Sequence, residues 1–282
     1  MKILVTGGAG FIGTNLIKRL LKEGHQVVSI DNYSTGLKQN EQLGATYIEK
    51  DLKFLDEYNN SYWEKFDIVY HLAAKARIQP SFINPIEYFE TNATVTMKID
   101  EICSKSKIPL VYAGSSSHHS GKFQNPYTFS KDIGEDILEM FYECFDLRYS
   151  ITRFYNVYGP YQLLEGGYTT LIGKWINNIN KSLPCEIYGD GEQTRDFTHV
   201  DDIIDALILI IEKEAYGNKF ELGRGENISI NKVAKMFKIN PIYKNSKPGE
   251  ARDTLCKNKT AHKILNWTPK KNLIDFIKHL EE

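Results

Sequence analysis

The 282-residue chain carries 35 Lys and Arg against 36 Asp and Glu, a formal net charge of -1. That balance, with no basic stripe, excludes a nucleic-acid binder that works by neutralising phosphates. At 41 % hydrophobic and 25 % charged the composition is globular, and the longest apolar run, residues 206–211, falls far short of the roughly 20 residues of a membrane-spanning helix.

Over the first 160 residues, short runs rich in β-branched and aromatic residues alternate with helical patterns. Strands are expected at 2–6, 26–31, 46–49, 68–72, 110–113 and 149–155, and helices at 10–23, 85–104 and 126–145. Strands with little internal polarity, alternating with helices, predict an α/β fold built on a doubly wound parallel sheet. From about residue 161 the pattern changes to helices at 169–180, 200–213 and 230–238 between loops rich in Gly, Pro and Asn. Two regions are expected: a first domain at 1–160 and a smaller, partly interleaved α/β region at 161–282, with a segment near 198–214 packing back on the first. The four cysteines, Cys103, Cys144, Cys185 and Cys256, are widely spaced and form no CxxC pair. Neither a zinc site nor a dense disulfide framework is expected, and a reducing cytoplasm is the default setting.

The sharpest local signal is KILVTGGAGFIG at residues 2–13. It follows a strand, opens an amphipathic helix, and is trailed by Asp31, 18 residues past Gly13 at the end of a second strand. Gly7, Gly10 and Gly13 permit a tight turn and close approach of a pyrophosphate, whose charge meets free N–H groups at the helix start. Phe11 and Ile12 complete the turn, and Asp31 can accept hydrogen bonds from ribose hydroxyls, which favours NAD over a 2′-phosphorylated cofactor.

Further motifs follow in order: HLAA at residues 71–74, Ser115-Ser116, Tyr127-x-x-x-Lys131, RFYNVYGP at 153–160 and TRDFTHVDD at 194–202. Together with the glycine turn, Asp31-Asn32, Asp51-Leu52, Lys75 and Asn92, they resemble the extended short-chain dehydrogenase/reductases over nearly the whole chain. More closely, they resemble the NAD-dependent epimerase/dehydratases that act on nucleotide sugars. Tyr127 and Lys131 share one helix face, so the ammonium can sit beside the phenol and favour phenolate, and Ser116 can bond the same substrate oxygen. This trio suits proton removal from a sugar hydroxyl while a hydride passes to NAD.

The resemblance implies that Asp51 and Leu52 flank the adenine and that Leu72, Ala73, Ala74, Lys75 and Asn92, with Asn32, contact or support the cofactor. It implies that Asn156 and Arg195 meet the substrate diphosphate, that Glu250, in Lys247-Pro248-Gly249-Glu250, lies at the nucleotide ribose, and that Thr254 stands where relatives gate sugar size. It also implies a homodimer through helices 85–104 and 126–145, for which Ile133, Ile137, Met140 and Phe141 supply an apolar stripe that packing inside one subunit explains equally well. No metal and no membrane partner are expected.

Two departures bear on the reaction. Ser116 and Tyr127 are 11 residues apart, a shorter connection than typical nucleotide-sugar epimerases have, which predicts a sugar site more open on that side. Ser117-His118 stands where 4,6-dehydratases carry Asp-Glu, which argues against water loss. His118 takes the place of a Cys used in 3,5-epimerisation, and is either a proton relay or, with His119, a loop histidine. The expected function is C4 epimerisation of a UDP-hexose or UDP-N-acetylhexosamine through a 4-keto intermediate. A nucleotide-sugar 4-ketoreductase, a 3,5-epimerase/reductase and an NAD-sensing binding protein stand as alternatives.

Overall fold

The structure is a computed structural model and describes residues 1–57 and 60–280. Ile3-Leu4-Val5 is apolar on both sides, so the strand it forms, β1 (Lys2–Thr6), must be covered on both faces, and all three side chains are buried. With β2 (Gln26–Asp31), β3 (Thr46–Glu49), β4 (Ile68–His71), β5 (Leu110–Ser115), β6 (Tyr149–Phe154) and β7 (Asn218–Leu222) it builds a seven-stranded, all-parallel sheet in the order β7-β6-β5-β4-β1-β2-β3. This is the expected doubly wound α/β fold, with the strand order reversing between β1 and β4.

The helices used below are α1 (Phe11–Lys22), α2 (Ile78–Ile83), α3 (Pro85–Phe89), α4 (Val95–Ser106), α5 (Pro126–Phe145), α6 (Leu171–Asn180), α7 (Val200–Glu212) and α8 (Ile230–Met236). Strand alternation sends Ile3 and Val5 to one face, where Leu16, Ile17 and Leu20 of α1 and Ile203, Leu207 and Ile210 of α7 cover them. Leu4 faces the opposite layer, made by Ile99 and Cys103 of α4 and Ile137, Leu138 and Phe141 of α5. A third cluster, centred on Trp175 of α6 and Val233 of α8, lies in the C-terminal region. Of the stripe read as a dimer contact, Ile137 and Phe141 are buried in this subunit's own core, Ile133 packs against it, and Met140 alone is exposed.

Several elements differ from expectation for tertiary reasons. The single helix expected at 85–104 is α3 and α4 joined by a π-helical turn, Glu90–Thr94. That wider turn brings the buried Asn92 to Lys75 and Ser130. β5 runs two residues past Ala113, because it stays paired with β6 as far as Ser115 opposite Phe154. The half-polar run of β7 has no strand signature of its own and is a strand because β6 offers its edge. Among the described residues no helix is long and apolar enough to cross a membrane, and no cluster of His, Cys, Asp and Glu could hold a metal ion.

Candidate active site

A cavity of about 900 Å³ opens at the C-terminal ends of the strands, over the point where strand order reverses. Every site residue nominated from sequence lines it except Asn92 and His118.

The glycine turn forms one wall. Gly7 has φ +72°, and a Cβ on it would lie 2.8 Å from the backbone nitrogen of Ala73. A Cβ on Gly13 would lie 2.2 Å from the Gly7 carbonyl oxygen. Both positions are therefore closed to any side chain. α1 starts at Gly10 with no side-chain cap and no acid in its first turn, so its leading N–H groups are free to meet an anion. Beside the turn, Asp31 accepts hydrogen bonds from the backbone N–H of Ala9 (2.9 Å) and of Tyr33 (2.8 Å). Burial pushes its carboxyl above the ordinary value and those two bonds work against the rise. Asn32 Nδ2 donates to Asp51 (3.0 Å), joining the two acidic positions along the cavity edge.

Asn92 acts from behind the cavity wall. Its Oδ1 accepts the Lys75 N–H (2.8 Å), and its Nδ2 donates to the Lys75 carbonyl (3.0 Å) and to Ser130 Oγ (3.0 Å). It therefore ties the loop after β4 to the first turns of α5. The Lys75 ammonium is paired with Glu87 (2.9 Å).

The phenol of Tyr127 faces the same cavity. Pro126 opens α5 and Asn125 caps it, accepting the Thr128 N–H at 2.8 Å, which fixes where Tyr127 projects. Burial raises the Tyr127 pKa, while the Ser115 hydroxyl and the Arg77 guanidinium lower it. The serine hydroxyl that bears on the Tyr127 phenol electrostatically is thus that of Ser115, one residue before the Ser116 nominated from sequence. Extension of β5 sets the alternation so that Ala113 and Ser115 face the cavity, whereas Ser116 begins the following 3₁₀ turn and lines the cavity further along. Lys131 lines the same cavity. Its Nζ lies 4.0 Å over the Tyr112 ring, and desolvation brings its pKa down to about 7, against the pull of Glu135 and Asp132.

His118 is not part of the cavity. Its Nδ1 is hydrogen-bonded to Asp132 (3.0 Å), and His119 Nε2 to Glu221 (2.9 Å). Both rings are partly exposed and both acids are buried. The two histidines pin the turn after β5 to α5 and β7, which removes the geometric basis for His118 as a proton relay at the sugar.

On the substrate side, Asn156 Nδ2 donates to the hydroxyl of Thr254 (3.0 Å) and to the Asp196 carbonyl (3.2 Å). Arg195 donates to the carbonyls of Thr194 (2.9 Å) and Arg252 (3.3 Å), with Glu250 at 3.9 Å. The short connection before Tyr127 does not leave its side open. Asn125 Nδ2 donates to the Gly249 carbonyl (3.2 Å), and Gln79 Nε2 donates to the Pro248 carbonyl (3.0 Å) and to Glu250 (3.1 Å). The 247–250 loop therefore closes the gap that sequence length predicted. Arg77 and Gln79 had no place in the sequence reading, and Ser115 entered it only as the neighbour of Ser116, which was given the role. Arg77 and Gln79 sit in a segment without a motif, and the choice among three consecutive serines depends on strand register.

Residues 3–223 match the NAD dependent epimerase/dehydratase family. The chain belongs to that family. Among its relatives in the NAD dependent epimerase/dehydratase family is a UDP-glucuronate 4-epimerase of Thermodesulfobacterium geofontis, 31 % identical over 98 % of this chain and 93 % of that protein. Another is a UDP-N-acetyl-alpha-D-glucosaminuronate decarboxylase of Bacillus cytotoxicus, 31 % identical over 83 % of this chain and 78 % of that protein. Among solved structures of similar fold is the UDP-glucose 4-epimerase of Thermotoga maritima with UDP-glucose, with a TM-score of 0.92 and 28 % identity, covering 100 % of this chain and 98 % of that one. Epimerases and decarboxylases both stand close, so family membership fixes an enzyme class and leaves the reaction to the site.

Proposed function

We propose that this chain is an NAD-dependent nucleotide-sugar epimerase acting at C4 of a UDP-hexose or UDP-N-acetylhexosamine. One observation carries the reading. A single cavity joins the bare glycine turn to Tyr127, Ser115 and Lys131, and the acids lining it, Asp31, Asp51, Glu186 and Glu250, all lie outside the 113–131 segment that holds Tyr127. Such a site offers one base at one hydroxyl, whereas loss of water needs an acid and a base side by side.

The residues fit NAD. The turn at Gly7, Gly10 and Gly13 and the uncapped start of α1 accept a pyrophosphate, Asp31 and Asn32 the adenosine ribose, and Asp51 with Leu52 the adenine edge. Leu72, Ala73, Ala74 and Lys75 line the path toward Tyr127, with Asn92 bracing that segment and Lys131 placed to bond the second ribose. When bound, NAD supplies the acceptor, and later the donor, of a hydride at C4. Tyr127 takes the C4 hydroxyl proton, Ser115 holds the same oxygen, and Tyr127 keeps the proton until the 4-keto sugar has turned its other face. The substrate's nucleotide diphosphate is assigned to the 161–282 region, to Asn156, Arg195 and Glu250, with Thr254 near the sugar.

Proton NMR of the purified protein with UDP-, GDP- and dTDP-sugars, no cofactor added, tests the reading. Interconversion of C4 epimers is expected. Turnover only with added NADH, release of carbon dioxide, or no turnover at all would each overturn it. For the apolar side chains left exposed on α3, α4 and α5, Ile86, Phe89, Met97 and Met140, we assign a second copy of the chain as the cover. Light scattering is expected to give twice the 32.4 kDa chain mass, and a monomer would refute the assignment.

A further inference from the structure

A hydroxyl oxygen has two lone pairs and one hydrogen, so two donors already bound to it leave it able only to donate. Thr254, on the substrate side of the cavity, is in that state. Its Oγ1 accepts Asn156 Nδ2 (3.0 Å) and the Asp196 N–H (3.2 Å), and among the described residues no acceptor takes its hydrogen. The sense of both bonds is forced. A main-chain N–H can only donate, and Asn156 must present its nitrogen here because the same Nδ2 also meets the Asp196 carbonyl (3.2 Å). The backbone at Thr254 is placed as firmly, since its N–H donates to the Thr194 carbonyl (3.2 Å).

Both partners of Thr254 lead back to one residue. Asp196 ends the short strand Thr194–Asp196 and is fully buried. Its carboxylate accepts three backbone N–H groups, from Arg224 (2.8 Å), Gly225 (2.9 Å) and Cys256 (3.0 Å). Those bonds join the segment after β7, and the segment that carries Thr254, to the strand. Gly223 permits the close approach: a Cβ there would lie 2.9 Å from Asp196 Oδ2 and 2.4 Å from the Cys256 Cβ. Burial pushes the Asp196 carboxyl above its ordinary value, and the three N–H bonds work against the rise.

Resting on the nucleotide-sugar reading, we infer that Asp196 is a positioning residue that fixes Thr254 as a hydrogen-bond donor to the substrate. The carboxylate holds the two segments together, while the Asp196 N–H and the Asn156 amide fill the lone pairs of Thr254 Oγ1. The one hydrogen left over is free for a ligand in the cavity. Its complement is an acceptor oxygen, either a phosphoryl oxygen of the diphosphate or, on the sugar, the carbonyl of an acetamido substituent. Of the residues assigned above to the diphosphate, Asn156 thus acts through Thr254, because both its amide hydrogens are spent within the protein.

The test is calorimetric binding of UDP, a UDP-hexose and a UDP-N-acetylhexosamine to the NAD-loaded protein and its variants. Thr254→Val, which keeps the shape and removes the hydrogen, is expected to weaken binding by on the order of tenfold. Thr254→Ser, which keeps the hydroxyl, should restore most of it. A loss already present for UDP puts the acceptor on the diphosphate, and one that appears only with an attached sugar puts it on the sugar; either supports the inference. Asp196→Asn, which sets an amide NH₂ against a backbone N–H, is expected to weaken binding about as much, and adding Thr254→Val to it should cost nothing further. Losses that add make Asp196 merely structural, and binding unchanged in Thr254→Val, or lost equally in Thr254→Ser, removes the donor; each of these overturns the inference. Should Asp196→Asn fail to fold by circular dichroism, the same cycle is run with Asn156→Ala, which breaks the hydrogen-bond chain at its next link. Binding that follows the expected pattern without turnover leaves the inference standing and sinks the epimerase reading, whereas a wild type that binds none of the three ligands refutes both.

Discussion

Replacing Tyr127 with Phe is expected to lower kcat by about 10²–10⁴-fold, the range spanned by loss of a positioned general base, while the protein keeps its fold and its cofactor. Both halves of this expectation come from where the hydroxyl sits. The phenol faces the cavity, and in the proposed reaction its oxygen takes the proton of a sugar hydroxyl. The pyrophosphate turn lies on the other wall and loses nothing. Stability is spared because Ser115 keeps partners after the phenol is gone. Its Oγ still shares a hydrogen bond with the Ser117 hydroxyl (2.9 Å) and accepts the Ser117 N–H (3.2 Å). No buried donor is orphaned, so the change in unfolding free energy should stay below about 1 kcal/mol. Single-turnover assays and urea denaturation measure the two halves. Retention of a tenth of wild-type activity would remove Tyr127 from the chemistry, and a large loss of stability would show that the hydroxyl was holding the wall together.

What could be read in advance was local. KILVTGGAGFIG specifies strand, turn and helix within twelve neighbouring residues, because Gly7 and Gly13 are excluded from any other identity by backbone a few ångströms away. Asp31 follows at a distance set by one helix and one strand. What could not be read was decided by parts of the chain remote in sequence. Pairing with β6 fixed where β5 ends, and hence that Ser115 ends the strand while Ser116 begins the following turn. The acids that hold His118 and His119 lie 14 and 102 residues further on, so a histidine pair that reads as a relay or a bare loop is a clamp. The open side expected from the short connection before Tyr127 is closed by a loop more than a hundred residues away, through Asn125 and Gln79. Chain length alone cannot show such compensation.

Arg153 is where the largest loss of stability is expected. It lies inside the protein between two buried carboxylates: Nε donates to both oxygens of Glu135 (3.0 and 3.1 Å), and Nη1 to Glu221 (2.9 Å). The Tyr155 hydroxyl and His119 complete the partners of Glu221, both at 2.9 Å. A Cβ on Gly114 would come 2.6 Å from Glu135 Oε1, so the glycine leaves the space this carboxylate occupies. Burial pushes the Glu221 carboxyl up, but the bonds from His119 and Arg153 prevail and hold it below the ordinary value. In Arg153→Met the two carboxylates lose their common cation, and removing one partner of a buried ion pair costs about 3–5 kcal/mol. The pH dependence separates this cause from mere loss of packing. In the wild type, Glu221 contributes stability that is present above the unfolded carboxylate pKa and fades as pH falls through the folded one. In the variant the sign reverses, because the unpaired carboxyls bind protons more tightly folded than unfolded, and lowering the pH toward 5 should recover part of the loss. Adding Glu135→Gln and Glu221→Gln to Arg153→Met should recover most of it at pH 7, since no net buried charge is left behind. Urea denaturation at both pH values decides the matter: a loss that is equal at pH 5 and 7 and survives the triple substitution would mean that Arg153 stabilises through its packing, and that the charges of Glu135 and Glu221 are tolerated without it.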